Sequence, residues 1–194
     1  MWDDAGITLV PSAGAHGFTM SEAEQVSSEV PAIVDVEASG FGAGSYPIEI
    51  GYVASDGSSY CTLIRPAPKW THWDPGAEAM HGISRDTLLR YGREPAEVAR
   101  ELNARLSGKT LYSDGWGNDF AWLGKLFDEA NLVPRFRVES LRSLLNDVQA
   151  ASWHATKDDV AAHARSTRHR ASADAQVLQR ALVRVKGIQP AGLG

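Results

Sequence analysis

Five residues in this chain have the types and spacing to do chemistry on a charged substrate. Asp35 and Glu37 lie two apart in the run Ile33-Val34-Asp35-Val36-Glu37, between Pro31 and Gly40. That run reads as a short strand. Side chains at i and i+2 share a face, so the two carboxylates point together and Val34 and Val36 point to the other side. Adjacent unpaired carboxylates repel and are costly to bury, and a divalent cation removes that cost. A solvated edge strand with both acids outside fits the same pattern. Asp119 begins a helical run, where free amide N–H groups favour an anion; taken alone, it is also an ordinary first-turn aspartate. Asp174 falls in the first turns of the final helix, where a solvated face is the simpler account. His169 belongs to the polar stretch Arg165-Ser166-Thr167-Arg168-His169-Arg170, where a histidine is more often a surface residue than a base. Five positions separate His169 from Asp174, so on one continuous helix they would diverge. They converge only if His169 sits on the loop entering that helix.

The elements that must position these groups follow from pattern. Tyr46–Ala54 and Ser59–Arg65 read as strands joined at Asp56-Gly57, a hairpin signal. Ile48, Ile50 and Tyr52 alternate against Glu49 and Gly51. Asp74-Pro75 marks a cap and first position for a helix over Gly76–Met80, and Ser84 caps the next. Ala96–Leu106 repeats apolar residues at helical spacing. Thr110–Ser113 is a strand, 114–118 a turn-rich link, and Asp119–Ala130 a helix with Phe120, Leu123, Leu126 and Phe127 on one face. Phe136–Glu139 is the last strand. Leu141–Val148 reads as helical, Thr156 as the cap of a separate helix over Lys157–Ala164, and Ala171–Val185 as the final helix. An antiparallel meander followed by strands alternating with helices predicts an α/β fold with a mixed five-stranded sheet.

The bulk properties narrow the function. At 194 residues, a single domain over 31–188 is expected, with an extension over 1–30, containing a short helix near Ser21–Val26, and a tail over 189–194. One cysteine, Cys61, excludes an internal disulfide framework and a multi-thiolate zinc site. No run is apolar and long enough to span a bilayer, so a cytoplasmic location without membrane contact is the expectation. The formal net charge is −5, so contacts with a polyanion need a local basic patch or bound metal ions. Arg165, Arg168 and Arg170 offer such a patch, or else a solvated loop. Phe41, Trp73 and Trp116 flank the acidic segments and suit base stacking, although each suits a core equally.

The segments Asp35-Val36-Glu37, Asp119 and His169-Arg170-Ala171-Ser172-Ala173-Asp174 resemble the three motifs of the DEDDh branch of the DnaQ-like 3′–5′ exonucleases, which have an RNase H-like fold. The resemblance covers roughly residues 32–186. It implies a catalytic set of Asp35, Glu37, Asp119, His169 and Asp174, in which the four acids hold two Mg²⁺ or Mn²⁺ ions and His169 is the general base. An unperturbed histidine titrates near about 6.5, which suits that role. The implied partner is the 3′ end of single-stranded DNA or RNA, or a short oligonucleotide, with release of 5′-monophosphates. Ser39, Gly40 and Phe41 match the small, glycine-containing segment after the first motif, and His81-Gly82-Ile83-Ser84 resembles another segment near the site. With Trp116 and Arg168, these make Ala38, Ser39, Gly40, Phe41 and His81 the expected substrate contacts. Asp114-Gly115 departs from the family, where many members have His-Asn; the extra acid either binds metal or caps a turn. Several members are dimers, so a homodimer is an expectation. A non-catalytic nucleic-acid-binding or scaffold domain that retains the fold is the alternative.

Overall fold

The computed structural model describes residues 29–164 and 169–188. The expected 1–30 extension with its short helix, the 189–194 tail, Arg165 and Arg168 fall largely or wholly outside the described residues. Strands β1 (Ala32–Ala38), β2 (Pro47–Val53) and β3 (Ser59–Leu63) form the antiparallel meander. Helices α1 (Pro75–His81), α2 (Arg85–Tyr91) and α3 (Pro95–Leu106) then lead to β4 (Thr110–Ser113). Strand β4 joins β1 in parallel, and α4 (Trp116–Glu129) returns the chain to β5 (Arg137–Ser140), parallel to β4. A 3₁₀ turn at Leu141–Leu144, α5 (Asp147–His163) and α6 (Ala171–Lys186) complete the order. The sheet runs β3-β2-β1-β4-β5. It is the expected α/β fold, which among the described residues is a mixed five-stranded sheet flanked by six helices.

Both faces of the sheet are covered. Val34, Val36, Ile48 and Ile50 pack with Leu88, Val98, Leu102, Leu123 and Leu126 from α2, α3 and α4. On the other face Ile33 and Val53 pack with Leu178, Ala181 and Leu182 of α6 and Trp153 of α5. Strand β2 is therefore buried at every position. The alternation that set Glu49 and Gly51 against the isoleucines thus separates two covered faces, rather than a core from water.

Gly51 explains how closely α6 approaches. A Cβ there would lie 2.2 Å from the Ser172 amide nitrogen and 2.4 Å from the Ala171 carbonyl carbon. Only a residue without a side chain lets the first turn of α6 rest on β2. Gly51 also pairs across the sheet with Asp35, so this contact brings the start of α6 over the acidic strand.

Three boundaries differ from the sequence reading. Helix α4 starts at Trp116, not Asp119, because the Asn118 and Asp119 amides already donate to the Gly115 carbonyl. Phe120 lies outside its buried face, 56% exposed and stacked on Trp116 at 5.5 Å. In place of two helices divided at Thr156, α5 is one helix of 17 residues. Asn146 and Gln149 cap it reciprocally, each side chain bonding the other's backbone amide, so the helix starts at Asp147 and Thr156 lies mid-helix. Leu141–Val148 is correspondingly a 3₁₀ turn, a break at the Asn146 cap, and the start of α5.

Candidate metal centre and cleft

Asp35 and Glu37 leave β1 on the face covered by α6, and Asp174 comes down from the first turns of α6. One carboxylate oxygen from each lies within 4.8 Å of the other two. Asp119, 3% exposed, enters from α4 at the end of β4, where it accepts a hydrogen bond from the buried Ser113 hydroxyl. The acids line a cleft of about 430 Å³, which Phe41, His81 and His169 also border. Helix α6 has no cap from its own N-cap residue, Arg170; the Glu49 carboxylate accepts from the Ala171 amide instead, and the helix dipole favours an anion in the first turns, where Asp174 stands.

The electrostatics are those of buried carboxylates that repel one another. Burial and the neighbouring acids Asp119, Glu37 and Asp174 raise Asp35 well above its ordinary value. Burial, then Asp174 and Glu49, push Glu37 up to about 7. Burial likewise raises Asp119 to about 7, against the Ser113 hydrogen bond, and raises Asp174 against the pull of His169. Converging oxygens with a high cost of ionisation fit a hard divalent cation. Asp35, Glu37 and Asp174 have the geometry to hold one such ion, with Asp119 beside them.

His169 lies outside α6, on the entering loop, with φ of 62°. That left-handed conformation is uncommon for a histidine and turns the chain sharply into the helix. The next residue fixes the turn. Arg170 Nε donates to both oxygens of the fully buried Glu49 at 3.0 Å, and the Ala171 amide donates to Glu49 Oε2 at 2.9 Å. Glu49 sits opposite Glu37 in the register. Arg170 is thus committed to β2 instead of standing free in a basic patch. This pair escaped the sequence reading because Glu49 looked like a solvent-facing position. The Ile-Glu-Ile-Gly run, with a glycine two residues after the acid, is the available signal of a covered face.

The expected substrate contacts are distributed unevenly. Ala38, Gly40 and Phe41 line the cleft, Phe41 being 63% exposed. Ser39 is buried behind it, accepting from the Tyr46 amide at 3.1 Å and contacting His72 Nδ1 at 3.3 Å. Gly40 has φ of 138°, and a Cβ there would meet the Asp74 Cβ at 2.6 Å. The glycine-containing loop is pinned to α4. Lys125 donates to the Ala43 and Ser45 carbonyls, and the Trp122 indole N–H donates to Ser45 Oγ. Trp122, one turn after Asp119, lines the cleft and lies 6.1 Å from the Phe41 ring; its position one turn beyond an acidic candidate was the signal for it. Trp116 is not part of the lining. Its indole N–H donates to the Val138 carbonyl, on the β5 side of α4. Trp73 is tied to Glu78 through its indole N–H.

His81 lines the cleft with only 6% exposure. Its Nδ1 accepts from the Ile83 amide at 3.0 Å, which places the proton of the neutral ring on Nε2. Nε2 is buried without a partner among the described residues, and burial holds the ring below its ordinary pKa. His81 is therefore a neutral N–H donor buried in the cleft wall. Asp114 lies outside the group of three converging carboxylates and accepts from Trp153 Nε1 at 2.9 Å and Lys157 Nζ at 2.7 Å, both on α5.

No protein-family profile and no curated protein matches the sequence. Solved structures do match. Pop2p of S. pombe, in a form with Mg²⁺ and Mn²⁺ bound, aligns with a TM-score of 0.62 and 16% identity over 82% of this chain and 83% of its own. E. coli exonuclease I in complex with a dA16 oligonucleotide aligns at 0.64 and 16% identity, over 82% of this chain and 41% of its own. Its zinc-bound complex with single-stranded DNA aligns at 0.63 and 16% identity with the same coverage. The chain thus spans about two-fifths of the length of exonuclease I. Among the described residues no helix is long and apolar enough to cross a membrane. The likeness at these identities is one of architecture: this chain has the RNase H-like α/β fold, in common with Pop2p and exonuclease I.

Proposed function

We propose that this chain is a divalent-metal-dependent 3′–5′ exonuclease of the DnaQ-like DEDDh kind, acting on the 3′ end of single-stranded DNA or RNA. The observation that carries the reading is the convergence of Asp35, Glu37 and Asp174 within 4.8 Å, beside the buried Asp119, in a cleft that also holds His169. Asp35, Glu37 and Asp174, with Asp119 beside them, would hold Mg²⁺ or Mn²⁺, two ions in this reading, which would supply positive charge to the phosphoryl oxygens and to the attacking and leaving oxygens. His169 accepts a proton from the attacking water as its oxygen bonds to phosphorus. The bond from phosphorus to the 3′ oxygen of the penultimate nucleotide breaks, and a nucleoside 5′-monophosphate departs. Glu49 and Arg170 position the loop that carries His169. Phe41 offers a stacking face to the terminal base, and His81 Nε2–H donates to an acceptor on the nucleotide. Fold likeness to exonuclease I bound to single-stranded oligonucleotide supports this substrate class.

The test uses single strands labelled at the 5′ end, with Mg²⁺ or Mn²⁺. Stepwise shortening from the 3′ end, release of 5′-monophosphates and arrest by EDTA are expected, with matched RNA, DNA and chimeric ends identifying the preferred sugar. Binding without hydrolysis of any of these would replace the enzyme with a non-catalytic nucleic-acid-binding domain. Faster cleavage of closed circles than of free ends would overturn the exonuclease assignment.

A further inference from the structure

The described cleft lining carries six carboxylates and a single lysine or arginine, Lys157. Four of those acids are the proposed metal ligands; Asp114 and Asp158 remain. Lys157 belongs to the inner stripe of α5, where Trp153, Lys157 and Ala161 recur at helical spacing and Ala164 follows as the C-cap. Trp153 is buried and the two alanines line the cleft. A lysine on such a stripe is out of place for packing, yet its side chain is only 28% exposed. Asp114 holds it: Lys157 Nζ donates to Asp114 Oδ2 at 2.7 Å, while Trp153 Nε1 occupies Oδ1. An ammonium has three N–H donors, and among the described residues Asp114 is its one hydrogen-bond acceptor. Arg170, next to His169, is bound to Glu49. A single strand brings one negative charge per nucleotide into a wall that is already acidic.

We infer that Lys157, aimed by Asp114, is a phosphate-binding residue that holds a phosphodiester of the bound strand other than the one being cleaved. This rests on the nuclease reading for its substrate class, although binding tests it separately from turnover. The full chain is titrated against short fluorescent oligothymidylate and oligouridylate, in Ca²⁺, by anisotropy across a salt series. Lys157→Gln keeps a donor for Asp114 and removes the charge. It should weaken binding roughly tenfold and flatten the slope of log affinity against log salt by about 0.7. Lys157→Arg should retain both affinity and slope. A wild-type slope in Lys157→Gln would reduce Lys157 to a tether for α5 and overturn the inference. So would equal losses in Lys157→Gln and Lys157→Arg. Wild-type binding with the expected slopes but no hydrolysis would sink the nuclease reading and leave this contact standing. Hydrolysis of the p-nitrophenyl ester of thymidine monophosphate without oligonucleotide binding would do the reverse.

Discussion

Without metal, the protein should lose stability as pH rises through neutrality. Burial lifts Asp119 from 3.8 and Glu37 from 4.5, each to about 7, and Asp35 and Asp174 move the same way. An acid whose folded pKa exceeds its unfolded one binds its proton more tightly in the folded state. Its contribution is complete below the unfolded value and is lost as pH climbs through the folded one. For the deeply buried Asp119 that loss is on the order of 4 kcal/mol. Glu37 adds less, because part of it faces solvent, and protonating one acid relieves its neighbours, so the contributions overlap. A net loss of about 3–5 kcal/mol between pH 5 and pH 8 corresponds to a fall in Tm of roughly 10 °C for a domain of this size. His81 works against this trend below its unfolded value, since burial lowers its pKa. The cleaner readout is therefore the Tm difference between saturating Mn²⁺ and EDTA. Metal displaces the same protons, so this difference should be near zero at pH 5 and largest at pH 8. Differential scanning calorimetry across that range decides it. An equal metal effect at pH 5 and pH 8 would refute the reasoning, as would none at either pH.

Other perturbations separate the roles of neighbouring groups. His169→Ala should lower the single-turnover rate by roughly 10²–10⁴-fold and leave metal affinity largely intact by calorimetry, whereas Asp35→Ala should lose both. Glu49→Gln should weaken the hold on Arg170 and lower kcat more than it raises KM, with the pH profile of kcat displaced as His169 loses its fixed setting. Gly51→Ala must push α6 away from β2 and should cost about 1–3 kcal/mol, with metal affinity falling alongside stability. Asn103→Ala removes the link to the Val133 carbonyl and the Arg135 amide, far from the cleft. It should cost about 1–3 kcal/mol in urea denaturation while leaving kcat unchanged.

Local signals carried much of the architecture. Asp56-Gly57, Asp74-Pro75 and Ser84 mark boundaries through the chemistry of a few adjacent atoms, and the meander and the helices after it follow. The misreadings arose where distant elements decide the outcome. Glu49 and Gly51 alternate with isoleucines as a half-exposed strand would, and only the docking of α6, more than a hundred positions later, makes both buried. Thr156 has a cap's chemistry, but Asn146 and Gln149 begin the helix earlier and Trp153 docks it. Phe120 has helical spacing with Leu123 and Phe127, yet α4 turns it outward beside Trp116. The convergence of Asp35, Glu37 and Asp174 could be anticipated only by resemblance, because nothing in their spacing brings the first strand to the last described helix. Asp114 was visible as an odd residue, but its partners Trp153 and Lys157 were not, since they come from α5.

The contact between β1 and α6 has a consequence for how the chain closes. A cation shared by Asp35 and Asp174 would act as a reversible crosslink between the first described strand and the last described helix, closing a loop that contains nearly all the intervening fold. Loop closure costs entropy that grows only slowly with length, so such a clasp gains the most where the spanned segment is longest. During synthesis the meander can form before α6 has been made, but the clasp cannot. Ion capture would then mark the end of folding, and ion loss the opening step of unfolding. Amide exchange along α6 should slow on Mn²⁺ addition by a larger factor than along α3, which lies across the sheet and carries neither carboxylate of the clasp.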